Sequence, residues 1–160
     1  RENWPELPNI AGALTRLVRE LPVEVVLPLH PNPYVRQLVE PLLGGEPHIR
    51  LLEPADHEEM VRLMRASWLI LTDSGGLQEE GAALGRPVLV MREVTERPEA
   101  VDEANAELVG TDPARILAAV SSLLADQEKY ARMARPSLAF GDGRAAPRIA
   151  ETIDRFLARA

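Results

Sequence analysis

The stretch Trp68-Leu69-Ile70-Leu71-Thr72-Asp73-Ser74-Gly75-Gly76-Leu77-Gln78-Glu79-Glu80-Gly81-Ala82-Ala83-Leu84-Gly85-Arg86-Pro87-Val88-Leu89-Val90-Met91 constrains this chain more than any other. An apolar run of strand length ends in the polar Asp73-Ser74, turns through Gly75 and Gly76, continues as a short helix and returns as a second apolar run. A strand, glycine turn, helix, strand unit of this kind belongs to an open parallel sheet, where ligands sit at the carboxyl ends of the strands. The glycine turn lets backbone approach a phosphate, and the helix N-terminus offers unpaired N–H groups and the positive end of its dipole. The plainer alternative is that Asp73 or Ser74 caps the helix while the glycines relieve a tight corner. Glu80 favours the ligand. At about 3.6 residues per turn it shares a flank with Gly76, Leu77, Ala83 and Leu84, which is expected to face the sheet or the cleft, whereas Gln78 and Ala82 lie on another. A carboxylate there calls for a specific partner, because burying it unpaired is costly. A pair of sugar hydroxyls would suit it.

With 160 residues, 46% of them hydrophobic, the chain can bury a core of its own, and residues 1–160 are expected to form one domain. The formal net charge of -7 opposes nucleic acid or an acidic membrane surface as partner, since both require a basic face. A small anion is still within reach of local N–H groups and single arginines. There is no cysteine, hence no disulfide framework and no thiolate metal site. No apolar run approaches a membrane span and the opening Arg1-Glu2-Asn3-Trp4-Pro5 is no signal peptide, so cytoplasm is the expected compartment.

The remaining pattern alternates helix and strand. Leu7, Ile10, Leu14, Leu17 and Val18 give an amphipathic helix over 6–20, and Val23 to His30 reads as a strand. Pro33 opens a helix to about Leu43, stopped at Gly44-Gly45. Ile49 to Leu52 is a short strand, and Asp56 is a cap for a helix over 57–66 whose buried stripe is Met60, Val61, Leu63 and Met64. Beyond Met91 the segment Arg92 to Ala100 is charged and irregular at a strand's carboxyl end, where function concentrates. Glu107 to Gly110 is a last short strand, and Asp112 or Thr111 caps a helix from Pro113 to about Ala125. Gln127 to Arg135 and Ala145 to Ala160 are further helices, the last carrying Ile149, Ile153 and Leu157, with a Gly141-Asp142-Gly143 turn before it. This order implies a parallel, three-layer α/β sheet.

Taken together, Arg1-Glu2-Asn3, His30-Pro31-Asn32-Pro33, the run from Leu71 to Glu80, Thr95-Glu96-Arg97-Pro98-Glu99-Ala100, Leu108-Val109-Gly110-Thr111-Asp112 and Gly141-Asp142-Gly143 resemble the C-terminal half of the non-hydrolysing UDP-N-acetylglucosamine 2-epimerases. Those proteins are two Rossmann-like domains in the GT-B arrangement. The resemblance implies that Ser74, Gly75 and Gly76 bind the diphosphate of UDP, that Glu80 accepts hydrogen bonds from the ribose, and that Arg97 lies near the phosphates and sugar. It implies further that the loop at Ala55 and the helix start at Met60 present backbone groups to uracil. His30 matches a histidine at the cleft edge, where some bacterial members hold a second, regulatory UDP-sugar; the alternative is a strand-end histidine satisfied by backbone.

The family reaction eliminates UDP to give a 2-acetamidoglucal and adds it back with C2 inverted, which interconverts UDP-GlcNAc and UDP-ManNAc. By resemblance it needs no metal or redox cofactor, and its acid-base carboxylates belong to the N-terminal domain, so no catalytic residue is expected here. The implied partners are a UDP-sugar, an N-terminal domain in cis or in trans, and a second copy as a homodimer. The family pattern places a strand and a His-Arg pair before Arg1-Glu2-Asn3, so the sheet is expected to lack its first strand. Ala104-Asn105-Ala106 stands where the family usually reads Ala-Gly-Thr. Two other readings share the glycine turn and the glutamate: the nucleotide half of a GT-B glycosyltransferase, and a non-catalytic nucleotide-sugar binding module. The Thr95-to-Glu99 loop favours the epimerase. Alone, the chain is expected to bind UDP weakly and not to epimerise, because one wall of a cleft does not supply positioned groups from two.

Overall fold

The computed structural model describes residues 4–158, so Arg1, Glu2 and Asn3 of the motif series lie outside the described residues. A 3-10 turn at Trp4–Glu6 leads into α1 (Leu7–Glu20), β1 (Val25–Pro28), α2 (Pro33–Leu43), β2 (Ile49–Leu52) and α3 (His57–Ala66). The central unit follows as β3 (Ile70–Thr72), α4 (Gly75–Ala83) and β4 (Val88–Val90). The chain ends in α5 (Pro98–Asp102), β5 (Ala106–Leu108), α6 (Pro113–Ala125), α7 (Gln127–Met133) and α8 (Ala145–Leu157).

Local chemistry sets most of the helix starts. Asn32 caps α2 by accepting the Tyr34 N–H at 2.9 Å, and Asp56 caps α3 through the Glu59 N–H at 2.9 Å. Asp112 does the same for α6 at Ala114 and Asp126 for α7 at Lys129, both at 2.8 Å. Each cap satisfies an N–H that the helix itself cannot pair. Pro33 and Pro113 add a fixed φ at a position where a missing N–H does no harm.

All strand pairs are parallel, three ladders in two sheets. β1 pairs with β2 from Val25 opposite Ile49 to Pro28 opposite Leu52. β3 pairs with β4, Ile70 opposite Val88, and β4 with β5, Val88 opposite Ala106. No ladder joins β1 to β3 among the described residues, so each of these strands has one open edge. The two sheets nevertheless share one core: α1 contributes Ile10, Leu14, Leu17 and Val18, α2 Val35, Val39 and Leu43, and α6 Ile116, Val120 and Leu123, packed with Ile49, Leu89 and Met91. A second cluster on the opposite face of β3, β4 and β5 joins Met64, Ile70, Ala82, Val88, Val90, Ala100 and Ala106. Leu89 faces one cluster and its neighbours Val88 and Val90 the other, as the two-residue period of a strand requires. The result is the three-layer α/β arrangement.

Several expectations need correction. On α4 the buried residues are Gln78, Gly81 and Ala82, whereas Gly76 and Ala83 are exposed and Leu77 is half-buried. The sheet-facing side is therefore the flank of Gln78 and Ala82 and not the expected flank of Gly76, Leu77 and Glu80. The reason is close approach: a Cβ on Gly81 would lie 2.7 Å from Val88 Cγ2 and 3.0 Å from Ile70 Cδ1, so the helix rests on the sheet where it has no side chain. On α3 only Met64 is buried; Met60 and Val61 are half-buried at the outer border of the second cluster, and Leu63 is half-buried. The strand read over Val23 to His30 shortens to Val25–Pro28. Pro98 starts a short helix, α5, in a segment read as irregular. On α8 no described residue is buried; Ile149, Ile153, Phe156 and Leu157 are all exposed. The Ala104-Asn105-Ala106 segment closes as a turn with Ala104 at φ 61°, and the buried Asn105 donates through Nδ2 to the carbonyls of Met133 and Arg135 at 3.1 and 2.6 Å.

Candidate functional site

At the carboxyl end of β3 the buried Thr72 turns the chain: its Oγ1 accepts the Ser74 N–H at 3.0 Å. Ser74 occupies the N-cap position of α4 with extended backbone, φ -82° and ψ 128°, yet its side chain makes no cap hydrogen bond. α4 thus differs from α2, α3, α6 and α7, whose caps are closed. Its first internal bond runs from the Gln78 N–H to the Ser74 carbonyl at 3.2 Å. The N–H groups of Gly75, Gly76 and Leu77 therefore have no acceptor within the helix. A half-exposed helix start with open donors and a positive dipole end suits an anion.

The loop after β4 covers this end of the helix. A Cβ on Gly75 would stand 3.1 Å from Glu96 Oε1 and 3.7 Å from Arg97 Cζ, so the turn has room for these side chains because the residue is glycine. Arg97 donates through Nε to Glu79 and through Nη1 to the Glu96 carbonyl at 3.2 Å. The Glu79 hydrogen bond above all, with the charges of Glu79, Glu96 and Glu99, raises the guanidinium pKa further, so Arg97 is a permanent cation here. Glu96 pairs with Arg92 Nη1 at 2.9 Å. Its carboxyl is held below the ordinary glutamate range first by its own backbone N–H, then by Arg92 and Arg97.

Glu80 projects from α4 toward the start of α3. Its side chain is 37% exposed, but Oε2 is closed to solvent and has no hydrogen-bond partner among the described residues. The nearest cation-forming atom is His57 Nδ1 at 3.9 Å, beyond hydrogen-bond reach. A carboxylate oxygen desolvated without a donor is expensive, and two vicinal hydroxyls would relieve it. Ala55, half-buried, immediately precedes the Asp56 cap on the same side. The Met60 N–H is already given to the Asp56 carbonyl at 2.9 Å, so Met60 offers its half-buried side chain rather than a free amide. His30 lies beyond the end of β1 and accepts the Asn32 N–H on Nδ1 at 3.1 Å, which keeps the strand-end reading of this residue alive.

Of the residues singled out from sequence, Ser74, Gly75, Gly76 and Arg97 meet at one helix end, and Glu80 stands one turn along the same helix. Over residues 1–154 the sequence matches the family described as UDP-N-acetylglucosamine 2-epimerase. The chain belongs to the UDP-N-acetylglucosamine 2-epimerase family. It is 48% identical over 131 residues to the UDP-N-acetylglucosamine 2-epimerase of Escherichia coli K12, covering 82% of this chain and 35% of that protein. The crystal structure of UDP-GlcNAc 2-epimerase from Neisseria meningitidis bound to UDP-GlcNAc superposes with a TM-score of 0.91 at 39% identity, covering 97% of this chain and 42% of that one. The S. aureus MnaA–UDP co-structure likewise gives 0.91 at 39% identity, covering 99% and 44%. The chain therefore spans well under half the length of the 2-epimerases it matches.

The residues that reading the sequence missed are Thr72, Gln78, Glu79 and Thr95. Thr95 carried a signal: a hydroxyl that accepts the N–H two residues on, here from Arg97 at 3.0 Å, is a recurrent turn former, and Thr72 repeats it with Ser74. Among the described residues no group of three or more His, Cys, Asp or Glu is placed to hold a metal, and no helix is long and apolar enough to cross a membrane.

Proposed function

We propose that residues 1–160 form the UDP-binding, C-terminal domain of a UDP-N-acetylglucosamine 2-epimerase that interconverts UDP-GlcNAc and UDP-ManNAc in the cytoplasm. The diphosphate lies over the start of α4, on the N–H groups of Gly75 and Gly76 and the hydroxyl of Ser74, with Arg97 alongside. The ribose hydroxyls donate to Glu80, and uracil rests between Ala55 and Met60 at the start of α3. The observation that carries this reading is the Glu80 carboxylate, whose Oε2 is desolvated and without a donor among the described residues, next to a helix end with no side-chain cap.

In the elimination the anomeric C–O bond breaks and its electron pair leaves on the diphosphate oxygen, while a base removes the C2 proton. Open helix donors and a fixed arginine stabilise the charge that accumulates on UDP as the C1=C2 double bond forms, and the same contacts hold UDP for return to C1 while a proton is delivered to the opposite face of C2. The proton-transferring groups come from the remainder of the protein, in cis or in trans. Calorimetric titration with UDP and with its 2′-deoxy analogue tests the assignment. Removing the 2′-hydroxyl should weaken binding to the wild type and make little further difference in Glu80→Gln. An equal penalty in both proteins would place the ribose elsewhere.

A further inference from the structure

We propose that Gln78 and Thr95 form a positioning pair for Arg97, fixing the arginine-bearing loop to the helix that receives the diphosphate. The proposal rests on the UDP assignment above and concerns what holds that wall of the cleft in shape. Gln78 is fully buried, at 0% exposure, on the sheet-facing side of α4 less than one turn from Gly75. Its Oε1 accepts a hydrogen bond from the Thr95 hydroxyl at 2.7 Å. The same hydroxyl accepts the backbone N–H of Arg97 at 3.0 Å. One hydroxyl, used as donor and as acceptor, thus ties the Arg97 backbone to α4.

The other half of the Gln78 amide is unused. Nε2 is buried with no hydrogen-bond partner among the described residues. In a core position an amide with an orphan N–H is disfavoured against an apolar side chain of similar volume. Packing of α4 on the sheet therefore gives no reason for glutamine at this position; the bond to Thr95 does.

The need for a tether follows from the loop itself. Residues 91–97 belong to no helix or strand, and the Arg97 guanidinium is held by Glu79 and by the Glu96 carbonyl. Those side-chain contacts compete directly with an arriving phosphate for the same N–H groups. The bond to the Arg97 backbone does not compete, so it keeps the residue in place while its head exchanges partners. Holding the cation beforehand lowers the ordering cost on binding.

UDP titrations at several salt concentrations on the wild type, Thr95→Val, Thr95→Ser, Gln78→Met and Arg97→Ala test the pair, with thermal unfolding of each. Thr95→Val and Gln78→Met are expected to weaken UDP about five- to ten-fold, the value of one well-placed charged contact partly lost. Both should flatten the salt dependence of binding as Arg97→Ala does, and Thr95→Ser should restore it. In the Arg97→Ala background Thr95→Val should cost nothing further, because both act through one contact. Gln78→Met should unfold at or above the wild-type temperature, whereas a merely structural glutamine would lose stability and affinity together. Thr95 is half-buried, so its variants remain informative should the core substitution misfold. Wild-type affinity in Thr95→Val, or an additive loss in the double variant, would overturn the proposal. No UDP binding by the wild type would instead overturn the nucleotide assignment, and the pair's role with it.

Discussion

Glu79 holds Arg97 by its carboxylate against the guanidinium Nε, while Glu80, the next residue, turns its Oε2 away into a desolvated position with no donor among the described residues. Two adjacent glutamates at nearly the same distance from the helix start thus have different work, and they are not interchangeable in a binding assay. Glu80→Gln is expected to weaken UDP by about 1.5–3 kcal/mol, the range for hydrogen bonds to a charged group. Glu79→Gln removes a carboxylate that competes with an arriving phosphate for the Arg97 guanidinium and should leave UDP binding unchanged or strengthen it, by at most about two- to five-fold, the scale of a partly exposed ion pair. Glu58, which pairs with Arg62 on the exposed side of α3, is the appropriate neutral control. Calorimetry on the three variants checks the order; equal effects from Glu79→Gln and Glu80→Gln would leave only the generic helix dipole at work.

The elements that sequence made legible are those with strong local chemistry. Pro33 marks the start of α2, Asp56 that of α3, and Thr111 or Asp112 that of α6, and these helices begin where those residues say. The glycine turn and its helix could be read as a unit because an apolar run stops abruptly at polar residues on the strand's end. The orientation of α4 could not. Its sequence Gly75-Gly76-Leu77-Gln78-Glu79-Glu80-Gly81-Ala82-Ala83 holds one large apolar residue, so periodicity carries almost no signal, and the buried side is set by the contact of Gly81 with Val88 and Ile70. Likewise the partner of Arg97 is fixed by a long-range approach of two loops that no local pattern encodes.

Ala104 stores strain that can be removed. It sits at φ 61° between α5 and β5, with its N–H on the Val101 carbonyl at 2.9 Å and the Asn105 N–H on the Ala100 carbonyl at 2.9 Å. The left-handed conformation costs an L-residue roughly 1–2 kcal/mol, and glycine recovers this less the roughly 0.4–1 kcal/mol it adds to the unfolded state's entropy. Ala104→Gly should therefore stabilise the chain by about 0.5–1 kcal/mol, read as a higher urea midpoint at unchanged slope. A lower midpoint would mean that the turn is not left-handed in solution.

Glu96 makes the site pH-sensitive in a defined direction. Its carboxyl is lowered first by its own backbone N–H and then by Arg92 and Arg97. A folded-state pKa below the unfolded one favours the folded chain fully above the unfolded value of about 4.3, and that contribution is lost as pH falls through the lower folded value. A bound diphosphate adds negative charge beside Glu96 and pulls Arg97 toward itself, both of which raise the carboxyl's pKa. In carbon-13 titrations the Glu96 midpoint should lie below that of free glutamate without ligand and move upward with UDP or in Arg92→Gln. An ordinary midpoint in the ligand-free chain would contradict this arrangement.

The open edges of β1 and β3 give the last prediction. In β1 the Val25 N–H donates to the His48 carbonyl at 2.9 Å, and just beyond the strand the Leu29 N–H donates to Leu52 at 3.0 Å, so the odd residues face β2 and the even ones face outward. Outward on that strand are Val26, which has an N–H to leave unpaired, and Pro28, which has none; proline is tolerated at such an edge for that reason. In β3 the Ile70 N–H is given to the Pro87 carbonyl at 2.9 Å, which leaves Leu71 pointing to the open side. Unpaired strand amides exchange readily or recruit another strand. At low concentration the amides of Val26 and Leu71 should exchange fast while those of Leu27, Thr72 and Leu89 are protected. If copies pair through these edges, protection of Val26 and Leu71 should rise with concentration alongside an increase in sedimentation coefficient. Concentration-independent protection of both amides would mean that β1 and β3 are paired in solution and that the sheet closes without a strand between them.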